Sequence, residues 1–228
     1  MAHLSPDLRD LNPATKEYLE AVFELEEEGR RVLQARIGER LGLAPATVSE
    51  GIKRMVSEGY VTIEGARDVK LTDKGRGFAE ALVRRHRLAE RMLVDILGID
   101  WHLCHEQAED WEKVMTPEVE AAILAKLEDD PTCPHGNPIP GAGNPIPWSA
   151  LRSVATMEQG DVGRLTRLLE DVELNHDTLK YLEDHRLMPG IDIAVVEVGP
   201  DGTRTLEVDG QRVSLGSGLG DNLWVLPA

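Results

Sequence analysis

The chain has 228 residues, a hydrophobic content of 41% and a formal net charge of -16. That hydrophobic content excludes a disordered chain, and the length suffices for two or three small domains. No apolar run approaches the roughly 18 residues that a membrane span needs, and the opening MAHLSPDLRD lacks the apolar core of a signal peptide, so we expect a soluble cytoplasmic protein.

The negative net charge conceals one basic segment. Between Arg30 and Arg87 there are 13 Lys and Arg against 7 Asp and Glu, whereas the rest of the chain has 12 against 34. Because a DNA-binding surface needs Lys and Arg to displace counterions, this segment has a composition that suits nucleic acid. An ordinary scatter of surface charge is the alternative.

The first elements in chain order predict a winged helix-turn-helix. Asn12 and Pro13 begin a helix that stops at Gly29, and two further helices are expected over residues 33–41 and 45–58. The runs YVTIEG and DVKLT follow as two short strands. This order places the third helix in the position that reads DNA.

Three amphipathic helices are predicted next. Thr72 caps a long helix to Gly98, residues 101–115 form a second, and Thr116 caps a third to about Glu128. On the second, one flank spans an arc of about 120° and gathers His102, His105, Glu106, Glu109, Glu112 and Lys113. The other flank holds Leu103, Cys104, Ala108, Trp111, Val114 and Met115. The polar flank offers several ligands to one cation, and the apolar faces are expected to meet a second copy of the chain.

The remaining sequence predicts a linker and a small barrel. Residues 129–148 are Pro-rich, repeat GNPIP at Gly136 and Gly143, and are expected to be extended. Beyond them, one helix around residues 176–186 and the runs IDIAVVEV, TRTLEV, QRVSL and NLWVL are typical of a small β-barrel. We therefore predict a mainly helical α+β chain with domains at 1–74, 75–148 and 149–228. The cysteines Cys104 and Cys133 have no CxxC spacing and are expected to be plain thiols.

Several longer strings carry a family resemblance. They are LEEEG from Leu25, PATVSEGIKRM from Pro45, LTDKGR from Leu71, RRHRLAERMLVDILG from Arg84, the 101–115 segment and GNPIP. Through them the chain resembles the diphtheria toxin repressor family of iron- and manganese-dependent transcriptional regulators, over nearly its whole length. The resemblance implies a cytoplasmic homodimer with a winged helix, a helical dimerisation domain and an SH3-like barrel. It also implies metal-dependent binding to a palindromic DNA operator and repression of metal-uptake genes.

The resemblance implies two metal sites. The primary site comprises Glu17, Glu20, Glu109 and Glu112, with Lys113 at the usual His position. The ancillary site comprises His86, Glu90, His105, Glu170 and Glu173. Hard oxygen ligands at the primary site favour Mn²⁺ over Fe²⁺, and other divalent transition metals are expected to substitute.

Lys113 is the departure from the family pattern. A protonated Lys has no lone pair, so either the primary site lacks one protein ligand or the ammonium replaces the ion as a counter-charge to Glu109 and Glu112. The second possibility would give a metal-independent DNA-binding regulator.

His102 is a further ligand or a solvated residue, and His135 and His185 have no evident partners. A metallohydrolase with Glu112 as base is the enzyme alternative, but HExxH, P-loop and nucleophile-elbow motifs are missing from the sequence.

The predicted DNA contacts lie on the third helix and the wing. The full set is Gln34, Ala44, Thr47, Ser49, Glu50, Lys53, Arg54 and Arg67, while Val48, Ile52, Met55 and Val56 are expected to face the core. Thr47, Lys53 and Arg54 are predicted to contact phosphates, with a solvated charged face as the alternative for Lys53. Glu50 occupies a position where the family often has Gln, which shifts the expected preference towards the amino group of cytosine. Arg67 would enter a minor groove.

Overall fold

The computed structural model describes residue 8 and residues 11–65, 67–127 and 131–228. The chain divides into two compact units, Met1–Arg85 with Thr116–Glu118 and His86–Met115 with Val119–Ala228. Among the described residues, no helix is both long enough and apolar enough to span a bilayer.

The N-terminal unit begins with α1 (Pro13–Glu27), α2 (Gln34–Leu41) and α3 (Pro45–Ser57). Asn12 caps α1, because its Oδ1 accepts the backbone N–H of Thr15 at 2.8 Å. Gly42 ends α2 in the left-handed conformation, with φ of 64°, and so turns the chain into α3. The predicted helix, helix, turn, helix order is confirmed.

The wing is a two-stranded sheet. Strands β1 (Val61–Glu64) and β2 (Asp68–Leu71) pair antiparallel in the register Val61 to Leu71. Arg31 donates to both carboxylate oxygens of Asp68, at 3.0 and 2.8 Å, and ties the segment before α2 to the wing.

The core of this unit gathers one face from each helix. Its buried side chains include Tyr18, Leu19, Val22, Leu25, Ile37, Val48, Ile52, Met55, Val61 and Val69. Val56 is 41% exposed, so its predicted core position is wrong. It lies at the edge of the apolar stripe that Val48, Ile52 and Met55 form on α3.

Helix α4 (Asp73–Arg91) continues as a π-helical turn over Met92–Ile96. The segment from Trp101 to Met115 is not one helix, as the sequence predicts, but a 3₁₀ turn, α5 (Cys104–Trp111) and a second 3₁₀ turn. Within the predicted apolar flank, Cys104, Ala108 and Met115 are buried. Trp111 and Val114 are 46% and 71% exposed rather than buried. Helix α6 (Pro117–Leu124) follows.

The Pro-rich segment is not an extended linker throughout. Cys133 to Asn137 are buried, and Ile139 lies in a core cluster with Leu88 and Leu93 of the α4 region. Gly136 has φ of 89°, and a Cβ there would lie 2.0 Å from the carbonyl oxygen of Thr166. The second GNPIP, at residues 143–147, is exposed as predicted for a linker.

The C-terminal part of the second unit is a six-stranded antiparallel sheet in the order β3-β8-β4-β5-β6-β7. Its strands are β3 (Arg152–Ser153), β4 (Val162–Leu168), β5 (Asp192–Val198), β6 (Arg204–Val208), β7 (Gln211–Leu215) and β8 (Leu223–Pro227), and its helices are α7 (Glu170–Glu173), α8 (His176–Asp184) and α9 (Ser217–Gly220). The last four strands match the predicted runs. The sequence does not reveal β3, which has two residues, or β4, where a bulge between Leu165 and Arg167 interrupts the alternation.

Candidate metal centre

Two helices bring the first group of ligand-type side chains together. His86 and Glu90 lie one turn apart on α4, and His105 lies in the first turn of α5. The His105 Nδ1 atom is 3.0 Å from Glu90 Oε1 and 3.1 Å from His86 Nε2. Glu90 Oε1 is also 3.3 Å from His86 Nε2. The ligand atoms of these three side chains could hold one metal ion.

The short helix α7 supplies carboxylates to the same place. Glu173 Oε2 lies 3.2 Å from His105 Nδ1, and the ligand atoms of His105, Glu170 and Glu173 form a second group compatible with a metal. Glu170 also receives a buried ion pair from Arg87, at 2.7 Å. The structure thus brings together all five residues that the family resemblance implies for the ancillary site, although one carboxylate already has a cationic partner.

A loop residue that the sequence left without a partner lies in this cluster. His135 is fully buried, and its Nδ1 atom is 2.9 Å from Glu173 Oε2 and 3.4 Å from Glu90 Oε1. Cys133 joins Glu90, His135 and Glu173 in a further group whose ligand atoms all lie within 4.8 Å of one another. The Cys-x-His spacing of residues 133–135 could have predicted this pair of ligands, because alternate residues of an extended chain face the same side.

Neighbouring side chains hold these ligands in place. Asn137 Nδ2 donates to Glu173 Oε1 at 2.6 Å, so one oxygen of that carboxylate is fixed and the other faces the histidines. Arg87 donates to the carbonyl oxygen of Pro138. The first GNPIP therefore supports the cluster, which explains why it is buried and the second copy is not.

The cluster is strongly polarised. Burial alone would lower the pKa of His86, but its hydrogen bonds to Glu112 and Glu90 outweigh burial and raise the pKa well above the usual range. The same balance raises the pKa of His105 to about 9, through Glu173 and Glu90. The pKa of His135 is also raised well above its usual range, because Glu173 and Glu90 outweigh burial.

The acidic members respond in the opposite direction. Burial raises the pKa of Glu173, but the charge of His135 and the hydrogen bond from His105 lower it to about 2. The pKa of Glu90 likewise falls well below its usual range. Burial raises the pKa of the Cys133 thiol to about 12. Without a metal, the cluster is therefore a set of imidazolium–carboxylate pairs. A metal cation must displace protons from the imidazoles in order to bind.

The donor set fits a divalent transition metal. Glu90 Oε2 and His135 Nδ1 are buried and lack a hydrogen-bond partner of adequate geometry. Such orphaned polar atoms are costly unless something else, such as a metal, satisfies them. Imidazole and carboxylate suit Mn²⁺ and Fe²⁺, and the Cys133 sulfur adds one ligand suited to softer ions.

The predicted primary-site residues belong to two different units. On α1, Glu17 is exposed and Glu20 is half-buried. In the second unit, Glu109 is exposed, and Glu112 Oε2 lies 2.8 Å from His86 Nδ1. This primary site stays a prediction.

Lys113 has a partner other than the one predicted. Its Nζ lies 3.0 Å from Asp110 Oδ1, and this contact raises the pKa of the exposed ammonium. Glu112 and Glu109 also raise the pKa of Lys113, with smaller effects than Asp110, and both alternatives for this residue stay predictions.

The two other histidines singled out in the sequence lie elsewhere. His102 is buried and its Nδ1 is 2.5 Å from Glu183 Oε2 on α8, while Glu183 Oε1 accepts the backbone N–H of Trp101 at 2.9 Å. His102 is therefore neither solvated nor part of the cluster. His185 Nδ1 is 2.8 Å from the carbonyl oxygen of Tyr181.

The predicted DNA contacts are accessible on the first unit. Ala44, Thr47, Glu50, Lys53, Arg54 and Arg67 are exposed, whereas Gln34 and Ser49 are half-buried. Tyr18 of α1 donates its hydroxyl to the carbonyl oxygen of Thr47 at 3.2 Å, which fixes the start of α3. Arg67 has φ of 105° at the turn of the wing. Ala66 lies outside the described residues.

Three protein-family models together match most of the chain. Residues 10–69 match the iron dependent repressor N-terminal DNA binding domain, residues 72–141 the iron dependent repressor metal binding and dimerisation domain, and residues 152–227 the FeoA domain.

Individual relatives agree with these matches. The diphtheria toxin repressor of Corynebacterium diphtheriae is 38% identical over 216 residues, which cover 91% of this chain and 94% of the relative. The iron-dependent repressor IdeR of Mycobacterium tuberculosis is 36% identical over 214 residues, covering 90% and 93%.

Solved structures are similar over nearly the full length. A manganese-dependent transcriptional repressor in complex with manganese has a TM-score of 0.79 and 31% identity, covering 94% of this chain and all of that one. The T. acidophilum IdeR has a TM-score of 0.75 and 26% identity, covering 97% of this chain and all of the other. The chain therefore belongs to the diphtheria toxin repressor family of metal-dependent transcriptional repressors.

Proposed function

We propose that this protein is a cytoplasmic homodimer that binds palindromic operators when loaded with Mn²⁺ or Fe²⁺ and represses metal-uptake genes. The observation that carries the proposal is the convergence of buried or half-buried imidazoles and buried carboxylates from α4, α5, α7 and the 133–137 loop. Family membership supports a DNA-binding and a dimerisation domain. In this proposal the boundaries between the three domains are at residues 74/75 and 148/149.

The ancillary metal set in this proposal is His86, Glu90, His105, Glu170 and Glu173, extended by Cys133 and His135. Glu90 is the shared member, since it lies in the groups of both His86 and His135. Arg87 competes for Glu170, so Glu173 is the carboxylate of α7 that we expect to contribute more.

The regulatory set in this proposal is Glu17, Glu20, Glu109 and Glu112. When bound, a divalent cation supplies the positive charge that these carboxylates need to lie close together. Without the cation, the like charges repel one another and disfavour the position of α1 in the metal-bound state. Because Tyr18 of α1 contacts Thr47 of α3, a shift of α1 also shifts α3. About 5.5 kcal/mol of differential binding would shift such an equilibrium from 1:99 to 99:1.

The dimer surface is the exposed apolar part of the helical segment. Trp111 ends α5, Val114 lies in the 3₁₀ turn that follows, and Ile96 and Leu97 come after α4; these four side chains are between 44% and 71% exposed. Large contiguous patches of exposed apolar side chains are rare on the surface of soluble monomers. We expect them to be covered by a second copy of the chain.

DNA recognition uses α3 and the wing. Thr47, Lys53 and Arg54 contact phosphates, Glu50 accepts from a cytosine amino group, and Arg67 enters a minor groove. Gln34, Ala44 and Ser49 lie at the edge of this surface. The exposure of α3's charged residues supports the assignment.

The experiment that tests the function is a metal titration of DNA binding. DNA fragments are first selected from a random pool by the Mn²⁺-loaded protein, and their binding is then titrated with Mn²⁺, Fe²⁺ and Zn²⁺ after chelator treatment. We expect binding to require metal, and Lys113→His to lower the metal concentration at half-saturation because it adds a ligand. Equal DNA binding in chelator would instead support the metal-independent regulator.

A further inference from the structure

The two ring nitrogens of His135 face different neighbours. Nδ1 lies 2.9 Å from Glu173 Oε2 and 3.4 Å from Glu90 Oε1. Nε2, on the opposite edge, lies 3.9 Å from the Sγ atom of Cys104. The imidazole and the thiol are both fully buried, so water does not compete for either edge.

A second residue of the same turn restrains the ring. The Trp101 ring lies against His135, with centroids 4.6 Å apart and planes inclined by 59°. Its indole N–H donates to the carbonyl oxygen of Pro134 at 2.9 Å. Trp101 begins the 3₁₀ turn that leads into α5, and Cys104 and the ligand-type His105 are the first two residues of α5. This short segment therefore contacts the 133–137 loop and also presents His105 to the cluster.

The chemistry of imidazole gives the Cys104 contact a consequence. A neutral imidazole carries one proton, so Nδ1 can offer a lone pair to a metal only if Nε2 keeps the proton. A partner that accepts from Nε2–H selects this tautomer and fixes the ring, as acceptors behind metal-binding histidines commonly do. The Cys104 sulfur is in position to be that acceptor.

We propose that Cys104 is a positioning residue of the metal centre, whose sulfur accepts the Nε2–H of His135 and so directs Nδ1 towards Glu90 and Glu173. The inference rests on the metal centre proposed above. It gives the two cysteines different roles: Cys133 belongs to the ligand group, whereas Cys104 acts through His135.

Two variants separate a hydrogen-bonding role from a packing role. Cys104→Val removes the acceptor at similar volume, and Cys104→Ser restores one. In Co²⁺ titrations of the full-length protein, we expect Cys104→Val to raise the dissociation constant about 10- to 100-fold and Cys104→Ser to stay near wild type. Thermal unfolding of the metal-free variants is the check that Val and Ser are equally folded.

The absorption of bound Co²⁺ identifies which sulfur ligates. Thiolate-to-Co²⁺ charge transfer should persist in Cys104→Val and Cys104→Ser but disappear in Cys133→Ser. Loss of that absorption in Cys104→Val would overturn the proposal, because Cys104 would then itself be a ligand. Unchanged Co²⁺ affinity in Cys104→Val would overturn it equally.

A metal-free measurement keeps this inference separable from the proposed centre. The Nε2–H proton of His135, followed by NMR, should have a similar chemical shift in wild type and Cys104→Ser and move upfield in Cys104→Val, which offers no acceptor. If wild type binds no Co²⁺, the proposed centre fails, while this chemical shift still decides the role of Cys104. Identical chemical shifts in all three proteins would contradict it.

Discussion

Gly136→Ala is the substitution whose effect on stability follows most directly from the structure. Gly136 has φ of 89°, and a Cβ there would lie 2.0 Å from the carbonyl oxygen of Thr166 on β4. An L residue in the left-handed region costs about 1–2 kcal/mol. The overlap with a backbone oxygen can be relieved only if the loop moves away from β4.

Moving the loop has its own cost. Ile139, three residues further on, is 1% exposed, and burial of such a side chain contributes about 1.5–3 kcal/mol. We therefore expect Gly136→Ala to lower the free energy of unfolding by about 2.5–5 kcal/mol. The assay is urea unfolding of the metal-free protein, followed by circular dichroism.

Gly160→Ala is the matched control. Gly160 also has a positive φ, of 91°, but its added Cβ would meet nothing within 4 Å. This variant should lose only the conformational part, about 1–2 kcal/mol. The Co²⁺ affinity should fall in Gly136→Ala, because His135 moves with the loop, and stay unchanged in Gly160→Ala. Equal losses of stability in the two variants would refute the reasoning about the loop and β4.

Three further predictions concern pH, metal and DNA. The pKa of His105 is raised to about 9, so its contribution to the stability of the metal-free protein is complete below the pKa of the unfolded state and is lost as pH rises through about 9. Mn²⁺ affinity should instead increase with pH, because the metal must displace protons. Calorimetry that detects no proton release on Mn²⁺ binding would contradict this. Glu109→Ala should reduce metal-dependent DNA binding and leave the dimer intact by sedimentation, and unchanged metal-dependent binding would remove Glu109 from the regulatory set. Lys53→Ala should reduce the magnitude of the slope of log K against log salt by about 1, whereas Lys180→Ala on α8 should not, and an unaltered slope in Lys53→Ala would assign Lys53 to a solvated face.

Local rules account for the elements that the sequence predicts correctly. Asn12 with Pro13 marks the start of α1, and Gly42 marks the turn before α3, because caps and left-handed glycines act within a few residues. The strands β5 to β8 follow from regular alternation between turn signals. The family resemblance supplied the five ancillary residues, which spacing alone could not have joined across the chain.

The elements that the sequence missed depend on tertiary contacts. The sequence predicts a linker at residues 133–139 because they lie in a Pro-rich segment, yet Asn137 donates to Glu173 and Gly136 fits against β4. His135 looks isolated because its partners lie on α4 and α7, far away in sequence. The helical wheel predicts burial of Trp111 and Val114, but Trp111 ends α5 and Val114 lies in the 3₁₀ turn after it, and both are exposed in a single chain.

Binding of Mn²⁺ to Glu90→Gln tests the central claim most directly. Glu90 Oε1 lies within 3.4 Å of a nitrogen of His86, His105 and His135, so its charge serves every imidazole of the cluster. Glu106→Gln, an exposed position on α5, is the matched control. In equilibrium dialysis, we predict that Glu90→Gln, shown to be folded by circular dichroism, binds at least one Mn²⁺ fewer per chain than wild type and Glu106→Gln. Equal Mn²⁺ binding by all three proteins would contradict the account.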